Sequence, residues 1–237
     1  MVEERNADRV PVTSRTEVRR LPGRGTHDRR LIEAILDEAF ICHVGLVIEG
    51  QPYVIPMNYG RRGDRLYLHG HRESRMLRHL ADGAEVCVSV TLLDGLVLAR
   101  SSCEHSVNYR SVVLFGVAHL VTDEAERLEA LRCITNHFVP GRWAEARKPG
   151  AHELREVVVV SIPVDEASAK VRDEAPNDGG GTGSGPWVGI IPIQLAAGTP
   201  YRVACQRAAA EVGDPASIHI IYAPAHHDDG HHERHAL

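Results

Sequence analysis

The sequence predicts a mainly β protein, a β-barrel of antiparallel strands with a few peripheral α-helices. At least six short β-rich runs follow one another along the 237 residues, and turn-forming residues separate most of them. Only two or three segments carry helical periodicity. The sequence contains neither alternating β-α-β units nor a GxGxxG loop, which disfavours a doubly wound nucleotide-binding fold.

The chain begins with a segment that has few apolar anchors. Residues 1–25 contain several prolines and glycines, which favours an extended or mobile arm. A domain over residues 26–172 follows the arm. Its first predicted element is a helix over 27–39, because apolar residues recur there along one face and Thr26 is placed to cap the first turn.

The period then changes from helical to extended. The runs FICHVGLVIEG and QPYVIPMNYG predict a hairpin across a Glu-Gly-Gln turn, and a second turn at 61–64 leads into RLYLHG. A short helix, SRMLRHLADG, is predicted to end at Gly83. Further strands are predicted in AEVCVSVTLL, in DGLVLARS, which continues or pairs with it, and in YRSVVLFGVAHLV.

The last third of the domain predicts one more helix and one more strand. A capping sequence that begins at Thr122 starts a helix over about 123–137, and EVVVVSIPV supplies the last core strand. Residues 173–186 are rich in glycine and predict a flexible linker. After it, the segment 187–224 includes WVGIIPIQL, which we expect to pack on the barrel or a dimer partner, and 225–237 form a histidine-rich tail.

Composition excludes several functional classes. The net charge of -5 and a pI near 6.3 provide no basic field for nucleic acid. The sequence has neither a secretory signal nor a membrane-spanning apolar stretch, so it predicts a cytoplasmic protein without a membrane partner. Five scattered cysteines without a CxxC pair indicate neither a disulfide framework nor a zinc site.

The stretch YLHGHRESRM joins a predicted strand to a predicted helix. Ser74 can cap the helix, and Arg72 and Arg75 flank its free amides, which are the ingredients of a phosphate site. Arginine and serine also begin many helices that bind nothing. His69 and His71 share a strand face but lack a nearby third ligand, so no metal site is predicted. The residues alone leave a phosphate site and a polar helix start open.

A second polar segment, LVLARSSCEHSVNYRSVVLFG, lies between two apolar strands, where the mouth of a barrel would be. It could line a site or form a solvated hairpin tip. A catalytic pair of Cys103 and His105 is disfavoured, because this spacing does not reliably bring a thiol and an imidazole together. The histidines of the tail could bind metal ions adventitiously.

Several segments, in order, resemble the pyridoxamine 5'-phosphate oxidase-related, FMN-binding split-barrel family, particularly its flavin-nucleotide-binding and nitroimidazole-resistance-like branch. The likeness covers about residues 26–172 and the segment around Trp187. The matching segments are GQPYVIPMNYG, LYLHGHRESRML, VTLLDGLVLARS, SVNYRSVVLFG, VPGRWAEAR and DEASAKVR.

The resemblance implies a homodimer with FMN in grooves at its interface. Met76 stands where the oxidases often have a lysine, and this removes a cation that Arg72 could replace. The family's flavin contacts fall on the strand residues Val54, Ile55, Pro56 and Met57, on His69 and Gly70, on Ser74 and Arg75, which match the Ser-Arg pair at the phosphate, on Arg110 and Ser111 from the partner subunit, and on Trp187. Arg72 is a further candidate phosphate contact, because it could replace the missing cation.

The resemblance further implies an FMN-dependent oxidoreductase that acts on a small-molecule substrate with a separate reductant or acceptor. His71 and His105 are candidate proton donors, because histidine changes protonation near neutral pH. The substrate signature of the true oxidases is not recognisable after residue 172. A non-catalytic or regulatory flavin-binding module and a split-barrel protein that binds haem or the deazaflavin F420 stay open as alternatives.

Overall fold

The computed structural model describes residues 8–177, 185–199 and 216–217. Half of the predicted linker, most of the segment after 199 and the histidine-rich tail lie outside the described residues. The helices are α1 (Arg29–Glu38), α2 (Arg75–Ala81), α3 (Glu124–Phe138), α4 (Arg142–Glu145) and α5 (Ala151–Glu156). The strands are β1 (Gly25–Thr26), β2 (Ile41–Ile48), β3 (Gln51–Asn58), β4 (Gly60–Arg62), β5 (Arg65–His71), β6 (Glu85–Leu98), β7 (Ser106–Val117), β8 (His119–Leu120), β9 (Val157–Pro163), β10 (Ala167–Arg172) and β11 (Gly189–Pro192).

The strands form two antiparallel sheets. The larger sheet has the order β1-β10-β7-β6-β2-β3, and β11 pairs with the second half of β6. The smaller sheet has the order β4-β5-β9-β8. The mainly β, antiparallel prediction is therefore confirmed. No helix in the described ranges is long and apolar enough to span a membrane.

The main core joins the two sheets and buries α1 and α2. Strand β5 lies between this core and a second cluster under α3, because its side chains alternate between its two faces. Leu66 and Leu68 belong to the main core, whereas Tyr67 packs with Ala130 and Ile134 of α3. The end of β5 is therefore held from both sides, and this fixes the position of the turn that follows it.

The first hairpin is confirmed, but the first helix begins later than predicted. Glu49 and Gly50 have φ angles of 50° and 78°, the left-handed pair that a two-residue hairpin turn requires. The N-cap of α1 is Asp28, whose Oδ1 accepts the amide of Leu31 at 2.9 Å. Thr26 lies in β1, so its assignment as the cap is wrong.

The structure decides one open alternative, corrects one prediction and adds two short helices. The DGLVLARS run continues β6 through a register shift beside Asp94 and does not pair with it. Strand β9 is not the last core strand, because β10 follows it and pairs with β7. The short helices α4 and α5 were not predicted.

The described part of the N-terminal arm packs on the larger sheet. Val10 is buried in the main core. Arg15 forms an ion pair with Glu166, and the imidazole of His27 contacts the carbonyl oxygen of Thr16 at 3.2 Å. These contacts anchor residues 8–24 beside α1 and β10.

Candidate functional site

The turn between β5 and α2 has the predicted form. Ser74 is the N-cap of α2, and its Oγ accepts the amide of Leu77 at 3.4 Å. The amide of Ser74 donates to the carbonyl oxygen of His71 at 2.9 Å. A Cβ on Gly70 would lie 2.6 Å from Cδ1 of Leu77, so the missing side chain lets α2 pack closely on β5.

His71 and Arg72 share one carboxylate, that of Glu156 at the end of α5. Nε of Arg72 lies 3.5 Å from Oε2 of Glu156 and 3.4 Å from Oε1 of Glu73. Nε2 of His71 lies 3.6 Å from the same Glu156 oxygen, while its Nδ1 accepts the amide of Glu73 at 3.1 Å. Neutral His71 therefore carries its proton on Nε2. The charge of Arg72 is largely compensated within the chain.

Arg75 differs from Arg72 in what holds it. Its guanidinium lies over the ring of Tyr53 on β3, 4.6 Å from the ring centroid. Within the described ranges, no carboxylate pairs with Arg75 and no side-chain hydrogen bond uses its N–H groups. A guanidinium has five N–H donors in its plane, and stacking uses only its face. Arg75 thus presents an uncompensated cation beside the capped start of α2.

His69 carries a buried atom without a partner. Among the described residues, its Nδ1 is the one buried side-chain nitrogen or oxygen that makes no hydrogen bond. Burial lowers the pKa of His69 and so favours the neutral imidazole. His69 lies opposite Val159 and shares its face with the α3 cluster, whereas Gly70 faces α2. An unpartnered buried nitrogen is costly, and a bound group could supply its partner.

Strand β3 ends the larger sheet, and its outer edge has no strand partner in the described part of the chain. A proline cannot donate a hydrogen bond to β2, so Pro52 and Pro56 occupy positions whose backbone groups face this open edge. Val54, two residues from each, faces the same way. Between the two prolines the edge therefore offers one amide donor, that of Val54, among several carbonyl oxygens.

The comparisons with known proteins identify the family. Residues 28–171 match the family model described as pyridoxamine 5'-phosphate oxidase. This chain belongs to that family. The split-barrel fold that the sequence resemblance implies is confirmed.

Solved structures similar to this family member include two with high coverage. The FAD and heme binding protein from Mycobacterium smegmatis is 35% identical, with a TM-score of 0.76 over 84% of this chain and 97% of that chain. The flavocytochrome Anf3 from Azotobacter vinelandii is 36% identical, with a TM-score of 0.80 over 88% of this chain and 97% of that chain.

A third similar structure is a putative 5-nitroimidazole antibiotic resistance protein from Bacteroides thetaiotaomicron. It is 32% identical, with a TM-score of 0.52 over 62% of this chain and 86% of that chain. Among curated proteins, none is significantly similar to this chain.

In this member of the oxidase family, Arg110 lies apart from the turn at Ser74. Its strand, β7, is three positions from β3 in the sheet, or roughly 14 Å at usual strand spacing. Its guanidinium donates to Glu38 and to Asp94, and these hydrogen bonds raise the pKa of Arg110. The hydroxyl of Ser111 donates to the carbonyl oxygen of Lys170 at 3.2 Å. One chain therefore does not bring Arg110 and Ser111 to β3.

The two remaining predicted site residues lie elsewhere on the family fold. Trp187 precedes β11, and its side chain is 62% exposed. Nδ1 of His105 accepts the amide of Ala99 at 3.0 Å and closes the loop between β6 and β7. The described part of the chain contains no cluster of three potential metal ligands.

Three surface clefts also lie away from the turn at Ser74. One of about 580 Å³ is bounded by α3, α4 and the start of α5, one of about 500 Å³ lies at the end of α1, and one of about 280 Å³ lies beside β4. No predicted flavin contact lines any of the three. The described residues leave the surface formed by β3 and the start of α2 open.

Proposed function

We propose that this family member is an FMN-dependent oxidoreductase that acts on a small molecule. The observation that carries the proposal is Arg75, a guanidinium that lies over Tyr53 at the capped start of α2 and that pairs with no carboxylate of the described residues. A phosphate group suits this arrangement because it accepts several charge-assisted hydrogen bonds at once. The open edge of β3 lies directly beside it, since Tyr53 and Val54 are neighbours on that strand.

The residues present fit a flavin nucleotide. Arg75 and the hydroxyl of Ser74 would hold the phosphate, and the amide of Val54 with the carbonyl oxygens of Pro52 and Pro56 would meet the polar edge of the ring system. A bound flavin supplies hydride and single-electron transfer. FMN, which the resemblance implies, and FAD, named for the Mycobacterium smegmatis relative, share the phosphate next to the ribityl chain.

His71 is the better placed of the two proposed proton donors. It lies in the same turn as Ser74, and its side chain is solvent-exposed. Its Nε2 lies 3.6 Å from Oε2 of Glu156 and faces solvent, where a substrate could reach it. His105 remains a proposed proton donor whose Nδ1 is already used by the loop that it closes.

We propose that the functional unit is a homodimer. Exposed apolar side chains on β2 and β3 include Ile41, Val47 and Val54, the last 69% exposed. Burying such a patch against a second copy removes apolar surface from water. The second copy could also bring Arg110 and Ser111 to the flavin. Light scattering on the full chain is expected to give the mass of two chains, and a monomer at every concentration would contradict the proposal.

Haem binding is the second candidate function. The two relatives with high coverage are an FAD and heme binding protein and a flavocytochrome. In this chain, His69 has the chemistry of a haem ligand, because its imidazole is held neutral by burial and one of its nitrogens lacks a partner.

The absorption spectrum of the purified full chain tests both candidates. A flavoprotein shows the two near-ultraviolet and blue bands of oxidised flavin, and chromatography of the extracted cofactor distinguishes FMN from FAD. Haem adds a Soret band, which His69→Ala is expected to abolish. A colourless protein that does not bind added FMN or FAD would refute flavin binding. If the protein binds flavin stoichiometrically but shows no turnover with any reductant or acceptor, it is a non-catalytic module.

A further inference from the structure

We propose that Tyr53 is a positioning residue. Its ring holds Arg75 where the guanidinium can bind the phosphate of the flavin, so the affinity for a flavin depends on whether that flavin carries a phosphate. This inference rests on the proposed function, because it concerns the same site. The ring of Tyr53 lies 4.6 Å from the guanidinium carbon of Arg75. In this arrangement the ring of Tyr53 contacts Arg75 and not the flavin.

The type of contact decides what Arg75 can still bind. An ion pair with hydrogen bonds consumes N–H donors, as it does for Arg110 with Glu38 and Asp94. Stacking on an aromatic face uses the π-surface of the guanidinium and leaves the N–H groups at its edge. Arg75 is therefore held in place without losing the donors that a phosphate needs.

Tyr53 is itself fixed by the fold. It lies opposite Leu46 in the β2–β3 hairpin and packs against the main core. A flexible arginine loses rotamer freedom when it binds a ligand, and this loss opposes binding. A ring anchored in the sheet reduces that loss, because Arg75 is already ordered before the ligand arrives.

The same ring couples the two parts of the proposed site. Tyr53 precedes Val54, whose amide faces the open edge of β3. The side chain of Tyr53 contacts Arg75 on α2. Tyr53, which lies in a paired strand, therefore sets the distance between the amide of Val54 and the guanidinium of Arg75. A flavin with a phosphate can use both groups, whereas riboflavin can use only the strand edge.

Titration of the flavin-free full chain with FMN and with riboflavin tests the role of Tyr53. Tyr53→Leu keeps an apolar side chain in the core but removes the ring, so FMN affinity is expected to fall roughly two- to fivefold, the range that corresponds to an exposed cation–π contact. Riboflavin affinity is expected to stay unchanged. Tyr53→Phe retains the ring and is expected to bind both flavins as the unmodified chain does.

Two further variants separate positioning from a general structural effect. Trp143 on α4 forms another cation–π pair, with Lys148. Trp143→Leu removes that ring and is expected to leave the affinities for FMN and riboflavin unchanged. In a chain that already carries Arg75→Ala, Tyr53→Leu is expected to cause no further loss of FMN affinity, because Tyr53 acts on the phosphate only through Arg75. Melting curves of each variant establish that it is folded.

The inference is overturned if Tyr53→Leu weakens FMN and riboflavin equally, since the ring would then contact the flavin or support the fold. It is also overturned if Tyr53→Leu leaves FMN affinity unchanged in a chain whose Arg75→Ala variant binds weakly. If the unmodified chain binds neither flavin, the proposed function itself fails, and this outcome is distinct from the other two.

Discussion

Replacing Arg75 by alanine is expected to weaken FMN binding by about 10- to 100-fold, because hydrogen bonds to charged groups are worth about 1.5–3 kcal/mol. Arg75 pairs with no carboxylate within the described ranges, so its removal leaves no buried acid behind. The loss would therefore report the contact with the ligand itself. Equilibrium titration followed by flavin fluorescence measures the affinity.

Two arginines of the same region provide matched controls. Arg78→Ala removes the same charge from the last turn of α2 and is expected to change FMN affinity only slightly. Arg72→Ala is also expected to have a small effect, because Glu73 and Glu156 already compensate that cation. Equal losses for Arg75→Ala and Arg78→Ala would show that only the general charge matters, and the phosphate assignment would be wrong.

Replacing Gly60 by alanine is expected to lower the free energy of unfolding by about 2–3 kcal/mol. Gly60 begins β4 and is buried against α3. A Cβ there would lie 2.7 Å from the backbone nitrogen of Ile134 and 2.8 Å from its Cα. Backbone atoms of a helix cannot move aside as a side chain can, so α3 must shift away from the sheet. For a chain of this size, thermal unfolding is expected at a temperature lower by roughly 4–10 °C.

Gly23→Ala is the matched control for Gly60→Ala. A Cβ on Gly23 would have no heavy atom within 4 Å. This variant is expected to unfold at the same temperature as the unmodified chain or at a slightly higher one, because alanine reduces the conformational entropy of the unfolded state. Equal unfolding temperatures for Gly60→Ala and Gly23→Ala would contradict the close packing of β4 on α3.

Strands with strong apolar character could be predicted from the sequence, whereas β10 could not. Its residues Ala167 and Ala169 are small and fully buried, and Ser168 between them is buried as well. Small side chains let α1 and the arm pack closely on this strand, but they carry little periodic hydrophobic signal. The helix cap shows the same limit. Thr26 and Asp28 both suit a cap, and the pairing of Thr26 with Ala169 decides between them.

The candidate site could be predicted as a short stretch but not as an arrangement. Sequence order places Arg72, Ser74 and Arg75 together, and the cap at Ser74 follows from local rules. Which arginine is available depends on Glu156 and Tyr53, which are distant in sequence and reach the turn only through the fold. The local residues alone do not separate the two arginines. The family resemblance favours Arg75, and the tertiary contacts give the physical reason.

The two prolines of β3 have a consequence for the protein before any ligand arrives. An exposed strand edge with a full row of amides and carbonyls is a template on which another chain can add a strand and begin to aggregate. Pro52 and Pro56 remove alternate donors from that row, so a continuous ladder cannot form along it. The edge can thus stay open while resisting the addition of a strand from another polypeptide, which protects the protein from aggregation edge to edge.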